Sequence, residues 1–179
     1  MLYTTYYLSP VGRLKLASDG KSLVGLWIEG QKYFNGTVME QMVKEDRLEL
    51  FDSVRAWLDR YFSGDRPSVT ELPLAPAGGA FRQGVWKILC QIPYGEVTTY
   101  GEIAEQMAFQ MHKSHMSAQA VGGAVGHNPI SIIIPCHRVV GTNGSLTGYA
   151  GGIEKKVWLL THEGVAVSQF HLPKKGTAL

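Results

Sequence analysis

A chain of 179 residues that is 45% hydrophobic is long enough to bury a core, as one compact domain or as two small ones. Its two cysteines, Cys90 and Cys136, match no zinc or disulfide spacing, which argues against a disulfide-stapled secreted scaffold and a structural metal. The opening residues Met1 to Tyr6 lack a signal peptide's basic region and long apolar core, and no stretch approaches transmembrane length, so a soluble, cytoplasmic protein is expected. The net charge of +2 is small but unevenly placed: 9 Lys+Arg face 10 Asp+Glu through residue 72, against 8 and 5 from residue 73 onward. That asymmetry is compatible with phosphate contacts in the second half without by itself predicting them.

Alternating apolar and polar residues at Tyr3 to Leu8, Arg13 to Ala17 and Ser22 to Ile28 predict short antiparallel strands, with turns at Pro10-Val11-Gly12 and Asp19-Gly20. Between Arg47 and Phe62, apolar side chains at Leu50, Phe51, Val54, Trp57, Leu58, Tyr61 and Phe62 recur at helical spacing and stop before Gly64. This predicts an amphipathic helix covering the sheet. Pro73 to Gly79 reads as a linker, separating an amino-terminal α/β domain (1–72) from a carboxy-terminal domain (80–167), with a loosely attached tail at 168–179.

Beyond the linker the periodicity turns helical. Phe81, Val85, Ile88 and Leu89 mark one helix, and Thr99-Tyr100-Gly101-Glu102 is a capping-box pattern opening a second that continues through residue 108. A polar loop from Phe109 to Ser114 leads to a third helix from about Ser117 to Val125, closed by Gly126. The pair is compatible with a helix-turn-helix. The third helix is made of small residues, Ala118, Ala120, Gly122, Gly123 and Ala124, and each glycine costs roughly 1 kcal/mol relative to alanine. Something must approach it closely, either a neighbouring helix or a ligand such as a nucleic-acid groove. The apolar run Ile130 to Ile133 predicts a strand ended by Pro135. That would place Cys136 and His137 at a strand end, where reactive side chains are displayed. A last helix near Ile153 to His162 carries Ile153, Val157 and Leu160 on one side and stops at Gly164.

Cys136 is the residue that most needs explaining. A thiol becomes a nucleophile as thiolate, and an adjacent imidazole is one of the few groups able to take its proton near neutral pH. His112 and His115 have an i, i+3 spacing but no partner cluster for a metal, and Cys90 reads as a packing thiol. Asn128 before Pro129 is first a turn former, Glu163 on its own reads as a solvated helix-end residue, and Tyr100 as a half-buried aromatic.

The ordered set Ala120-Val121-Gly122-Gly123-Ala124, Asn128-Pro129, Ile134-Pro135-Cys136-His137-Arg138-Val139, Gly148-Tyr149-Ala150-Gly151-Gly152 and His162-Glu163-Gly164 resembles the O6-alkylguanine-DNA alkyltransferases. The likeness is close from about Ala80 to Val165 and weaker before it. It implies an α+β architecture: a ribonuclease-H-like amino-terminal sheet with a helix, then a mostly helical, winged-helix-like DNA-binding domain. The implied activity is repair by direct reversal, with Cys136 accepting the alkyl group of O6-alkylguanine, and of O4-alkylthymine, once per molecule, without cofactor or metal.

By resemblance, His137 withdraws the thiol proton through a water and Glu163 orients it, while Asn128 organises the surroundings of Cys136. Tyr100 assists departure of the guanine. The start of the third helix enters the minor groove of double-stranded DNA and supports a flipped base, so Thr99, Ala118, Gln119, Ala120 and Gly122 are DNA-binding candidates. Gln119 stands where the family usually has Arg. Arg138 either braces the corner or reaches phosphate. Val139, Gly148, Tyr149 and Ala150 line the pocket, the Val139 carbonyl accepting from the guanine amine and the Ala150 N–H facing the guanine oxygen. A monomer suffices for one lesion. The rival readings are a damage sensor that binds without transfer, which the retained cysteine disfavours, and a cysteine hydrolase, which leaves the helix-turn-helix unexplained.

Overall fold

The computed structural model describes residues 1–36, 38 and 40–173; the end of the expected tail, 174–179, lies outside them. The chain divides into two compact units, Met1–Ala77 with Pro129–Ile133, and Gly78–Asn128 with Ile134–Leu179.

In the first unit, β1 (Leu2–Ser9), β2 (Gly12–Ser18), β3 (Leu23–Ile28) and β4 (Met42–Lys44) form one sheet in the order β3-β2-β1-β4. β1 and β2 pair as a hairpin from Tyr3↔Ser18 to Ser9↔Gly12, and β3 adds antiparallel to β2. The expected sheet was wholly antiparallel. β4 instead runs parallel to β1, which the long connection before it permits and a tight hairpin would not. Helix α1 (Glu49–Phe62) buries Phe51, Val54, Trp57, Leu58 and Tyr61, and the inner strand residues Leu14, Leu16, Leu23 and Leu26 are fully buried. α1 ends in a Schellman arrangement, with Gly64 at φ 100 and Asp65 N–H on the Arg60 carbonyl.

The segment Pro129–Ile133 belongs to this first unit because Leu26 N–H bonds the Pro129 carbonyl and Ser131 N–H bonds the Leu26 carbonyl. It is not the strand its apolar run predicts. A single bridge joins Ile130 to Leu26. The chain then folds at Ile132, φ 71, with Ile133 N–H on the Ser131 carbonyl, the γ-turn of positive φ. A β-branched residue there is strained by about 1–3 kcal/mol, and burial of the neighbouring isoleucines holds it in place.

The second unit contains α2 (Ala80–Leu89), β5 (Thr98–Thr99), α3 (Tyr100–Gln110), α4 (Ala118–Gly126), β6 (Val139–Val140) and α5 (Ile153–His162). Trp86 of α2 donates its indole N–H to the Ala124 carbonyl of α4. α3 opens with the full capping box, Thr99 and Glu102 each bonding the other's backbone N–H. It runs two residues beyond the predicted end because its stop signal is not a glycine. His112 takes the left-handed position, φ 54, and Lys113 N–H reaches the Ala108 carbonyl. The short parallel pair β5–β6, Thr98↔Val139 and Thr99↔Val140, ties the start of α3 to the stretch following Cys136. The expected loose tail is attached through residue 171, since Leu146 N–H bonds the His171 carbonyl and His171 N–H the Gly144 carbonyl.

Candidate active site

The proposed reactive residues all fall in the second unit. Pro135, at φ −82 and ψ 65 with Cys136 N–H on the Ile134 carbonyl at 2.8 Å, makes an inverse γ-turn, and Cys136–Arg138 continue as a 3-10 turn. Cys136 is therefore turned inward and 4% exposed, not displayed at a strand end as its sequence context predicts. Asn128 holds this turn from outside: its side-chain amide donates to the Ile134 carbonyl at 2.8 Å and its side chain also hydrogen-bonds Cys136.

His137, Arg138 and Glu163 form one buried cluster. α5 ends in a Schellman arrangement, Gly164 at φ 84 and Val165 N–H on the Leu160 carbonyl, which leaves Glu163 as the capping residue beside the cluster. His137 Nε2 lies 2.6 Å from Glu163 Oε2; Arg138 Nε and Nη2 lie 2.7 and 3.1 Å from Oε1 and Oε2; Gly95 N–H approaches Oε1 at 3.3 Å. Because a carboxylate only accepts, Nε2 carries the imidazole hydrogen and Nδ1 keeps its lone pair. Nδ1 is buried with no hydrogen-bond partner among the described residues.

Of its two expected roles, the structure shows Arg138 bracing the corner. It is buried, and its remaining nitrogen, Nη1, donates to the Ile92 carbonyl at 2.7 Å.

Tyr100, the first residue of α3, is buried with its hydroxyl 3.0 Å from the Thr147 carbonyl and 3.3 Å from that of Gly148. Gly148, at φ 85, passes so close that a Cβ there would lie 2.4 Å from the Tyr100 hydroxyl. Tyr149 is buried, its ring 6.5 Å from that of His137 at 81°, and its hydroxyl has no partner among the described residues. Ala150 is half-buried beside it. Thr99 is engaged in the α3 cap. Ser117 caps α4 by accepting from the N–H groups of Gln119 and Ala120. Ala118, Gln119, Ala120 and Gly123 are exposed, and a Cβ on Gly123 would meet nothing within 4 Å. Packing within the chain therefore does not require glycine there. A Cβ on Gly122 would make an ordinary contact with the Tyr100 ring, at 3.9 Å.

Residues 2–76 match the family described as 6-O-methylguanine DNA methyltransferase, ribonuclease-like domain, and residues 80–165 match 6-O-methylguanine DNA methyltransferase, DNA binding domain. The chain belongs to the 6-O-methylguanine DNA methyltransferase family. The methylated-DNA–protein-cysteine methyltransferase of Haemophilus influenzae is 45% identical over 164 residues, covering 92% of this chain and 87% of that protein. The protein of the same name from Methanosarcina acetivorans is 40% identical over 164 residues, covering 91% and 99%. Among solved structures, Mycobacterium tuberculosis OGT in complex with DNA aligns with a TM-score of 0.77 and 40% identity over 94% of each chain.

In this family member, electrostatics divides the labour among the buried groups. Burial pushes the Cys136 thiol up, partly offset by the Asn128 hydrogen bond and the positive charge of Lys156. Burial lowers the proton affinity of His137, with Glu163 pulling the other way, so the imidazole is neutral and able to accept a proton. Burial opposes ionisation of Glu163, but the hydrogen bond from His137 and the hydrogen bonds and positive charge of Arg138 outweigh it and hold the carboxyl well below the usual range. Tyr100 is raised, by burial first and then by Cys136, and stays a protonated donor.

A further buried side chain, Lys156, comes from α5, and no motif in the sequence marks it. This lysine is fully buried, and its Nζ donates to the Val139 carbonyl and, at 2.8 Å, to the Thr147 carbonyl. Its signal was its position: 153, 156, 157 and 160 are the i, i+3, i+4, i+7 face of α5, so a lysine interrupts an apolar stripe. No group of three or more His, Cys, Asp or Glu placed to hold a metal occurs among the described residues, and no helix is long and apolar enough to cross a membrane.

Proposed function

We propose that this protein repairs DNA by direct reversal, moving a methyl or small alkyl group from O6 of guanine, and from O4 of thymine, to Cys136 in a single turnover. The observation that carries the reading is the His137–Glu163 bond, which fixes the imidazole tautomer and leaves a proton-accepting Nδ1 buried in the same unit as the inward-turned thiol. Names of relatives 40–45% identical over nine-tenths of the chain support it.

The Cys136 proton passes through a water to His137 Nδ1, and the thiolate attacks the alkyl carbon in line with the C–O bond. The S–C bond forms, the C–O6 electron pair returns to the base, and Tyr100 hydrogen-bonds or protonates the departing guanine. A buried thiol cannot reach a base inside a stacked duplex, so the base must be flipped. The exposed small face at the start of α4 supports close approach to the minor groove of double-stranded DNA. No group in the site is suited to cleave the resulting thioether, so each molecule acts once. A monomer needing no cofactor or metal and working in the cytoplasm, where free thiols stay reduced, fits this chemistry.

The test is the yield of restored guanine from a duplex containing one O6-methylguanine, measured by nucleoside chromatography against protein added. Repair should stop at one base per molecule and be absent in Cys136→Ser. Binding to the lesion without restoration would support a damage sensor, and turnover of ester or peptide substrates a hydrolase.

A further inference from the structure

We infer that Lys156 is the fixed counter-charge of the Cys136 thiolate, a positioning residue that acts through the sulfur. The inference rests on reading Cys136 as the alkyl acceptor.

A fully buried ammonium is costly unless its charge is answered. Lys156 has no carboxylate within ion-pair distance among the described residues, and its two hydrogen-bond partners, Val139 O and Thr147 O, are neutral. The buried carboxylate of the unit, Glu163, is committed to His137 and Arg138. Val139, whose carbonyl accepts from Lys156, caps the 3-10 turn that carries Cys136 and His137, so the ammonium is held against that turn and its charge acts on both groups. Around them, Tyr100 shares the Thr147 carbonyl with Lys156, and the Tyr149 ring lies edge-on to that of His137. Of these, only the ionised thiol supplies an uncommitted negative charge.

The coupling with Cys136 is mutual: burial pulls Lys156 down to about 8 against the opposing pull of the thiolate, and Lys156 eases ionisation of the thiol. His137 removes the proton and Lys156 stabilises what remains, while its bonds to Val139 and Thr147 join two walls of the pocket. A lysine serving only to tie two carbonyls together would leave the thiol's ionisation unchanged when replaced.

Two measurements on the full chain in a Cys90→Ser background, without DNA, decide the matter. The first is the rate of Cys136 alkylation by iodoacetamide across the neutral and mildly alkaline range. Lys156→Met should slow the neutral-pH rate roughly tenfold and move the profile to higher pH, while Lys156→Arg keeps the charge and most of the reactivity. Should Lys156→Met fail to fold, the second measurement stands alone: the Lys156 Cε resonance is titrated in protein carrying 13C-lysine, with and without Cys136→Ser. Removing the thiol should lower the Lys156 midpoint, by reciprocity. An unchanged profile in a folded Lys156→Met, or an unchanged lysine midpoint, overturns the inference. Neither readout uses alkylated DNA, so failure of methyl transfer would be seen separately.

Discussion

At the scale of single residues, the site depends on which buried groups carry charge and which cannot move. Glu163 answers Arg138 and orients His137 at once. Glu163→Gln leaves a buried guanidinium without its counter-ion and should cost about 3–5 kcal/mol of stability, measured by denaturant unfolding. Because the folded carboxyl is depressed, its stabilisation is complete above the ordinary carboxylate range and is lost only as pH falls towards the depressed value. The gap between wild type and variant should therefore persist at neutral pH and close only in strong acid. His137→Ala, which removes the base, should slow single-turnover transfer by roughly a hundredfold or more. In the wild type the rate should rise with pH through the neutral range, because burial keeps the thiol protonated. Gly148→Ala would drive a methyl into the Tyr100 hydroxyl at a backbone angle that disfavours any side chain, so transfer should fall with little change in binding to unmodified duplex. Cys136, His137 and Glu163 were legible in the sequence because their chemistry is written in adjacent or family-matched letters. Lys156 was not, since a lysine on an amphipathic helix normally points to water.

At the scale of elements, α4 exposes a face of small residues, Ala118, Ala120 and Gly123, where packing within the chain does not call for a glycine at 123. Gly123→Ala adds a methyl into open space and should stabilise the protein by about 1 kcal/mol, yet weaken duplex binding if the small face meets a groove. Equal gains in stability and affinity would contradict that use of the face. Gln119→Arg adds a cation at an exposed position. It should tighten binding and steepen the slope of log affinity against log salt by about 0.9, checked by titrating a labelled duplex at several salt concentrations. The long helices were legible from apolar spacing and the Thr99 capping box. The end of α3 was not, because His112 occupies a left-handed position usually marked by glycine. The two-residue strands β5 and β6 were also missed, being too short to show any period.

At the scale of the whole molecule, chain order and compact unit do not coincide. Pro129–Ile133 lies between two parts of the second unit in sequence but bonds Leu26 in the first. Local pattern cannot show this, since a short isoleucine-rich run reads as a strand wherever its partner is. A fragment beginning at Gly78 keeps these buried residues without Leu26 or Gln31, whose side-chain carbonyl accepts from the Ser131 hydroxyl. It should unfold at lower temperature than the full chain and lose Cys136 reactivity, read by thermal melting and thiol alkylation. The most direct test of the central claim is peptide mass spectrometry of the full chain after incubation with duplex DNA carrying one O6-methylguanine. The account predicts the added mass of one methylene on the Cys136 peptide, saturating at one per molecule and absent in Cys136→Ser. Lesion binding with an unmodified Cys136 peptide would contradict it.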